Sequence, residues 1–399
     1  MNAVTPVIPA EAGRLQGVLA YLQDSESEAV LRRVATQLAL PGFEVRRGGI
    51  ATAVRDLKQQ RSPALLFVDA SGVDTVLDAI QDLSEVCEPQ LQLVVIGEAN
   101  DVGLYRGLMG LGVADYLFKP LTAELVEQVI WRLTNGGTRG DETRLGKLVA
   151  VCGARGGSGA SSIAANLASY LAEKASRRVA LLDLDVRSGV QALMLGAKSN
   201  PGLAEALEVP GRLDDLFLER ATISIGPRLD LLASEMPPER VPVPKLDGGP
   251  ALIGRLQRSY HYVLMDVPVA LRDVAAPLLA SAQIQILVME ATLVGARDAL
   301  QRVEAAGALG QRQILLHNKA GRPGDLSAAE LATALARPLE AAVPFLPRAF
   351  NGAINLGRPA WRDDPRAEAA IALLARELSG RKVKTASTPG WKRILGLAK

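Results

Sequence analysis

The residues Arg155-Gly156-Gly157-Ser158-Gly159-Ala160-Ser161-Ser162 constrain this chain more than any other stretch. Ahead of them, Lys147 to Cys152 is a short apolar run that reads as a buried strand. Behind them, Ile163, Ala164, Leu167, Ala168 and Leu171 recur at helical spacing. Strand, glycine loop and helix in that order are the setting of a phosphate cradle. Glycines let backbone N–H groups turn toward an anion, and the helix N-terminus adds partial positive charge. Ser161 stands where the hydroxyl of such a loop holds Mg²⁺. The general pattern Gly-x-x-x-x-Gly-Lys-[Ser/Thr] is incompletely met: Ala154 replaces its first glycine and Ala160 its lysine. Taken alone, the segment also fits a plain glycine turn before a helix.

Three later features favour a nucleotide site. Val179 to Asp185 reads as a buried strand ending in the carboxylates Asp183 and Asp185, and Tyr262 to Pro268 as another carrying Asp266. Acids at strand C-termini lie where open parallel sheets bind ligands. One such acid supports Mg²⁺ and another positions an attacking water, so Ser161, Asp183 and Asp266 are the candidate metal residues. Asp185, as the water-positioning group, and Asp266 are the candidate catalytic ones. Ile314 to Asn318 ends a further strand with an amide suited to an adenine edge.

This order of loop, Asp-x-Asp, Asp-Val-Pro and strand-end Asn resembles the deviant-Walker ATPases related to MinD and ParA, over roughly residues 145–378. The resemblance implies ATP and Mg²⁺ as ligands and a face-to-face homodimer closing over two nucleotides. It places Arg155 at the lysine that reaches the partner's ATP, with the charge kept but not the shape. It places Asp183 and Asp185 on the first acidic switch, Asp266 on the Walker B acid and Asn318 on the adenine contact. Pro344 and Phe345 fall in the segment that closes over the base. With Ala160 in place of lysine, the loop loses one charge-assisted hydrogen bond, about 1.5–3 kcal/mol. A missing donor to transition-state charge costs about 10²–10³ in rate, so hydrolysis suffers more than binding.

The first third of the chain reads as a separate α/β unit. Strands are expected at Val18 to Leu22, Ala64 to Asp69, Leu91 to Ile96 and around Leu117-Phe118, with an amphipathic helix from Ala123 to Leu133. This segment resembles a response-regulator receiver domain, which implies Asp69 as phosphoacceptor and Lys119 as the residue contacting the phosphoryl group. The acidic pair that holds Mg²⁺ in receivers is Gln23-Asp24, and Gly97 stands where they carry Thr or Ser. One carboxylate fewer weakens a hard-cation site. Both a docking module and a phosphorylated switch stay open.

The expected organisation is a loose tail over 1–13, a receiver-like domain over 14–133 and a polar, glycine-rich linker over 134–146. A MinD/ParA-like P-loop domain then spans 147–379, and a basic tail 380–399. The fold class is α/β, two open doubly wound parallel sheets, the first CheY/flavodoxin-like and the second of the P-loop NTPase type. Cys87 and Cys152 are far apart without metal-ligand company, and with no signal peptide or membrane span read in the chain, a cytoplasmic protein is expected. A net charge of +2, from 45 basic and 43 acidic residues, argues against a nucleic-acid binder. Trp391, Ile394, Leu395 and Ala398 with Lys392, Arg393 and Lys399 suit an amphipathic contact with an anionic membrane, or a solubilising tail.

A receiver-like domain joined to a lysine-deficient MinD/ParA-type domain is a narrower pattern. The combination resembles the CpaE/TadZ proteins of tight-adherence (Flp-type) pilus systems, as do Gly202 to Phe217 and Glu290 to Ala299. That resemblance implies an ATP-binding localisation and assembly factor, with weak or absent hydrolysis, focused at a cell pole or the inner-membrane face. Its implied partners are the secretion ATPase and the inner-membrane platform. Two alternatives stand beside it: a ParA-like segregation ATPase acting on DNA, and a receiver–ATPase signalling protein switched at Asp69.

Overall fold

In a computed structural model the described residues are 17–134, 145–208, 211, 213–235, 246–307 and 310–379. The N-terminal tail, nearly all of the linker, Arg212 and the basic C-terminal tail lie outside them. The chain divides into two compact units, Met1–Leu145 and Gly146–Lys399.

The first unit runs β1 (Val18–Leu22), α1 (Ser25–Gln37), β2 (Phe43–Arg47), α2 (Ile50–Leu57) and β3 (Leu65–Asp69). It continues with α3 (Val76–Val86), β4 (Gln92–Gly97), α4 (Val102–Gly110), β5 (Asp115–Phe118) and α5 (Ala123–Thr134). The strand order is β2-β1-β3-β4-β5, parallel throughout. Helices on both faces explain why β1 and β3 are continuous apolar runs. Leu19, Tyr21, Leu66 and Val68 pack into one core, and Val18, Ala20, Leu22, Leu65 and Phe67 into the other. The edge strand β2, Phe-Glu-Val-Arg-Arg, is half-exposed and gave no apolar run to read. The chain order reverses between β1 and β3, so their C-terminal ends border the crevice where such sheets bind ligands.

The second unit begins with β6 (Lys147–Gly153), α6 (Ala160–Glu173), β7 (Val179–Asp183), α7 (Gln191–Met194), α8 (Gly202–Glu208), α9 (Asp215–Ala221), β8 (Ile223–Gly226) and β9 (Leu229–Leu232). It continues with α10 (Gly249–Ser259), β10 (Tyr262–Val267), α11 (Ala276–Ser281), β11 (Ile284–Met289), α12 (Leu293–Gly307) and β12 (Arg312–Ala320). α13 (Ala328–Leu335), β13 (Ala341–Pro344), α14 (Pro347–Asn355) and α15 (Pro365–Ser379) complete it. The strand order is β13-β12-β11-β6-β10-β7-β9-β8, and only the β8–β9 pair is antiparallel. Along β6, Val149 and Val151 face one core while Leu148, Ala150 and Cys152 face the other. β6 is thus the central strand, and the glycine loop leaves its C-terminal end between β10 and β11. Both cysteines are free and buried, and burial pushes the Cys152 thiol up to about 12. Among the described residues, no helix is long and apolar enough to cross a membrane.

Candidate functional site

The glycine loop is held by its neighbours rather than by itself. Ala154 N donates to Val288 O of β11 at 2.8 Å. Arg272 Nη2 donates to Gly153 O at 3.2 Å, Arg302 Nε to Ala154 O at 3.1 Å and Lys319 Nζ to Gly157 O at 2.8 Å. Asn318 Nδ2 donates to Ser158 O at 2.8 Å. In a planar trans peptide the N–H points opposite the carbonyl, so each anchored carbonyl turns the next N–H to the other side. Gly159 caps α6 in the left-handed region at φ 90, with no side-chain cap. A Cβ there would lie 2.3 Å from Asn318 Nδ2, so the position needs glycine twice over. The uncapped first turn of α6 offers its backbone N–H groups to an anion.

The predicted acids meet beside this loop. Asp183 and Asp266 are register partners on β7 and β10. Both are buried, Asp183 at 1% exposure and Asp266 at 3%. Burial and then the Asp266 charge raise the Asp183 carboxyl to about 7, and burial raises Asp266 as well. Gln191 Nε2 donates to Asp266 Oδ2 at 2.8 Å and to Ser161 O at 3.0 Å, and its backbone N–H to Asp183 Oδ2 at 3.0 Å, which ties the three predicted metal residues together. Asp185 meets them through its backbone, whose N–H donates to Asp183 Oδ1 at 3.2 Å. Its carboxylate accepts from Arg187 N at 3.2 Å, Ser188 N at 3.0 Å and Ser188 Oγ at 2.9 Å, which holds it in a local turn.

Arg155 is exposed and pairs with Asp298 Oδ2 of α12 at 3.7 Å. The exposed ring of Phe345, which follows β13 and Pro344, lies under the Arg322 guanidinium, 5.9 Å from its centroid. Gly156 and Gly157 lie in the loop, and Ala160, half-exposed, opens α6 with Ser161 and Ser162 in its first turn. Sequence reasoning missed Gln191, Arg272, Arg302, Lys319 and the Glu290 that pairs with Lys319 at 2.5 Å. Only proximity to strand ends could have hinted at them, since none belongs to a spaced motif.

The first unit has its own polar cluster at the sheet's crevice. Lys119 Nζ donates to Asp24 Oδ2 at 2.6 Å, Asp69 Oδ2 at 2.7 Å and Ser71 Oγ at 2.9 Å. An ammonium has three protons, and all three are used. Asp69 also accepts from Gln23 N at 3.1 Å and Ser71 N at 2.9 Å. Burial alone would raise Asp69, but the Lys119 and Ser71 hydrogen bonds outweigh it and hold the carboxyl below its usual value. At Gly97 a Cβ would lie 2.5 Å from Tyr116 Oη, which donates to Ala99 O at 2.8 Å. Tyr116 therefore occupies the space a hydroxyl side chain would need. We expect acetyl phosphate with Mg²⁺ to leave Asp69 unmodified, as read by intact-mass spectrometry; a phosphoaspartyl adduct would show that the clamp opens.

Comparison with known proteins fits this geometry. Residues 144–222 match the family described as ParA: NUBPL iron-transfer P-loop NTPase. The uncharacterized protein Rv3660c of Mycobacterium tuberculosis (strain ATCC 25618 / H37Rv) is 30% identical over 261 residues, 62% of this chain and 69% of that protein. The chain belongs to the ParA/MinD family of P-loop NTPases. Solved structures share the fold of this ParA/MinD-type unit. The ParA family ATPase of Chlorobium tepidum TLS is 22% identical with TM-score 0.54, over 59% of this chain and 99% of that one. The cell-division ATPase MinD of Pyrococcus furiosus is 22% identical with TM-score 0.53, over 60% and 100%. The ParA/MinD family binds nucleotide with Mg²⁺.

Proposed function

We propose that this protein is a CpaE/TadZ-type localisation and assembly factor for a tight-adherence pilus machine, using ATP–Mg²⁺ as a structural ligand. The observation that carries the reading is a phosphate loop whose backbone is anchored at four carbonyls while position 160 is alanine. Such a loop keeps the amides that bind phosphate and lacks the cation that speeds its transfer. Ser161, Asp183 and Asp266 fit Mg²⁺: a hydroxyl and two buried carboxylates side by side, with Gln191 Oε1 buried and unpartnered next to them. The cation would supply the charge that lets both acids ionise together.

ATP then selects a closed homodimer in proportion to its differential affinity for that state, with Arg155 reaching toward the partner's nucleotide. Asn318, Pro344 and Phe345 border the base, and Asp185 orients water where turnover occurs. The receiver-like unit, with Lys119 fully engaged by Asp24, Asp69 and Ser71, suits partner docking better than phosphorylation. The partners in this reading are the secretion ATPase and the inner-membrane platform, with lipid contact through the tail at 380–399 as a further element.

A fluorescent fusion in cells of the source organism tests the reading. We expect a focus at one pole or another discrete envelope site, dependent on the Gly159 loop. Spread over the nucleoid, with salt-sensitive DNA retention in vitro, would instead identify a segregation ATPase. Light scattering checks the assembly step, with ATP–Mg²⁺ expected to shift monomer to dimer.

A further inference from the structure

The group that closes the acidic site is Gln191, the first residue of α7. Its side chain is fully buried. Gln191 Nε2 donates to Asp266 Oδ2 at 2.8 Å and to Ser161 O at 3.0 Å, while its backbone N–H donates to Asp183 Oδ2 at 3.0 Å. One residue thus spans both acids and the loop. Its other head atom, Oε1, is buried without a hydrogen-bond partner. A buried amide oxygen left unmatched costs about 1–3 kcal/mol, a cost the fold retains here.

The orientation follows from charge. With no cation present, only the NH₂ end can face the Asp266 carboxylate, because two acceptors would repel. With a cation present the preference inverts, since a metal takes oxygen and not an amide N–H. The spacing suits this inversion. Cis oxygens around Mg²⁺ lie ~2.9 Å apart for Mg–O distances of about 2.0–2.1 Å. The Gln191 head atom now sits 2.8 Å from Asp266 Oδ2, at that separation. Among the described residues, no group of three or more His, Cys, Asp or Glu gathers that could hold a metal, so the two acids need neutral oxygens to complete a shell.

We infer that Gln191 is an oxygen donor to the divalent cation of this site, its amide turning over when the cation enters between Ser161 and Asp266. This inference rests on the Mg²⁺ part of the function proposed above and does not require nucleotide. Turning the amide exchanges two hydrogen bonds for one metal–oxygen contact and relieves the unmatched Oε1. Because the backbone N–H to Asp183 is independent of the side chain, Gln191 variants keep that contact. Gln191 touches the cation itself, and its role is separable from hydrolysis.

The test is Mn²⁺ binding to the full-length chain without nucleotide, counted by electron paramagnetic resonance and competed with Mg²⁺. Wild type should bind Mn²⁺ saturably. Gln191→Met, of similar length but without the amide, should bind about 10–100-fold more weakly. Gln191→Glu, which adds ligand charge, should bind at least about tenfold more tightly. It also guards against a Met variant that fails to fold. Binding by the Met variant as tight as wild type, weaker binding by the Glu variant, or no saturable Mn²⁺ site in wild type would each overturn the inference. A separate titration of ATP in the presence of Mg²⁺ distinguishes the two readings. ATP binding with a Gln191-independent Mn²⁺ response sinks this inference alone, and a Gln191-dependent Mn²⁺ site without ATP binding sinks the nucleotide reading alone.

Discussion

Lysine in place of Ala160 is expected to raise ATP turnover by about 10²–10³-fold. Position 160 opens α6 and is half-exposed, so a long side chain can leave the helix without displacing a core residue. From there an ammonium reaches the same space as the backbone N–H groups of the loop. It would also tighten ATP by about 1.5–3 kcal/mol, the worth of a charge-assisted hydrogen bond. The rate gain should exceed the affinity gain, because charge on the transferring group grows toward the transition state. Phosphate release and ATP titration on Ala160→Lys separate the two effects. A variant that binds ATP more tightly and turns it over no faster would place the deficiency elsewhere, in the turn that holds Asp185. If localisation depends on long-lived ATP binding, the same substitution should also disperse foci in cells.

The second large effect is expected in the first unit, where Lys119→Met leaves the Asp69 carboxylate buried at 0% exposure without its cation. Removing one partner of a buried ion pair costs about 3–5 kcal/mol. Asp24, partly exposed, is solvated and adds little to that figure. For a unit of this size the melting temperature should fall by about 10–20 °C. Asp69→Asn in the same chain should recover most of the loss, since no charge is then stranded. A double-mutant cycle followed by calorimetry reads this directly. Full-size destabilisation in the double variant would assign the loss to packing instead.

The pH dependence of that pair has a definite sign. Asp69 is held low in the fold, so its stabilisation is present above the unfolded carboxylate value of about 3.9 and is lost as pH falls through its folded value. Lys119 is shifted the other way: burial lowers it, but the hydrogen bonds it donates to Asp24 and Asp69 outweigh burial and raise it. Its contribution is present below the unfolded value of about 10.4 and is lost as pH rises through the folded one. Lys119→Met leaves burial as the dominant influence on Asp69, so this variant should grow less stable as pH rises, where wild type is flat around neutrality.

Much of the architecture was legible because burial and composition agree in parallel sheets. β1, β3, β6, β7 and β10 are covered on both faces, so each is a continuous apolar run bounded by polar residues. β2, β8, β9 and β13 were not read as strands. β2 and β8 are partly exposed, and β9 and β13 are each only four residues long, so none carries a long apolar run. The apolar stretch from Val274 to Leu287 contains α11 and β11. The acids Asp183 and Asp266 were readable from strand ends. Their mutual placement was not, because the Asp183–Asp266 alignment depends on β7 pairing with β10 across an intervening crossover.

Gln191 and the three loop-anchoring cations show where reading along the chain stops. Arg272, Arg302 and Lys319 reach the loop from segments 119, 148 and 162 residues away, and Gln191 reaches Asp266 across 75. The sequence by itself determined the fold class, the order of the two units, the loop with its missing lysine and the acids at the strand ends. These are local: spacing, glycine content and apolar runs act over a few residues. The tertiary structure alone decided that Lys119 spends all three protons on Asp24, Asp69 and Ser71, that Tyr116 fills the space at Gly97, and that an amide bridges Ser161 and Asp266. Those facts depend on which side chains meet in space, and a hydrogen bond is satisfied by geometry whatever its separation along the chain.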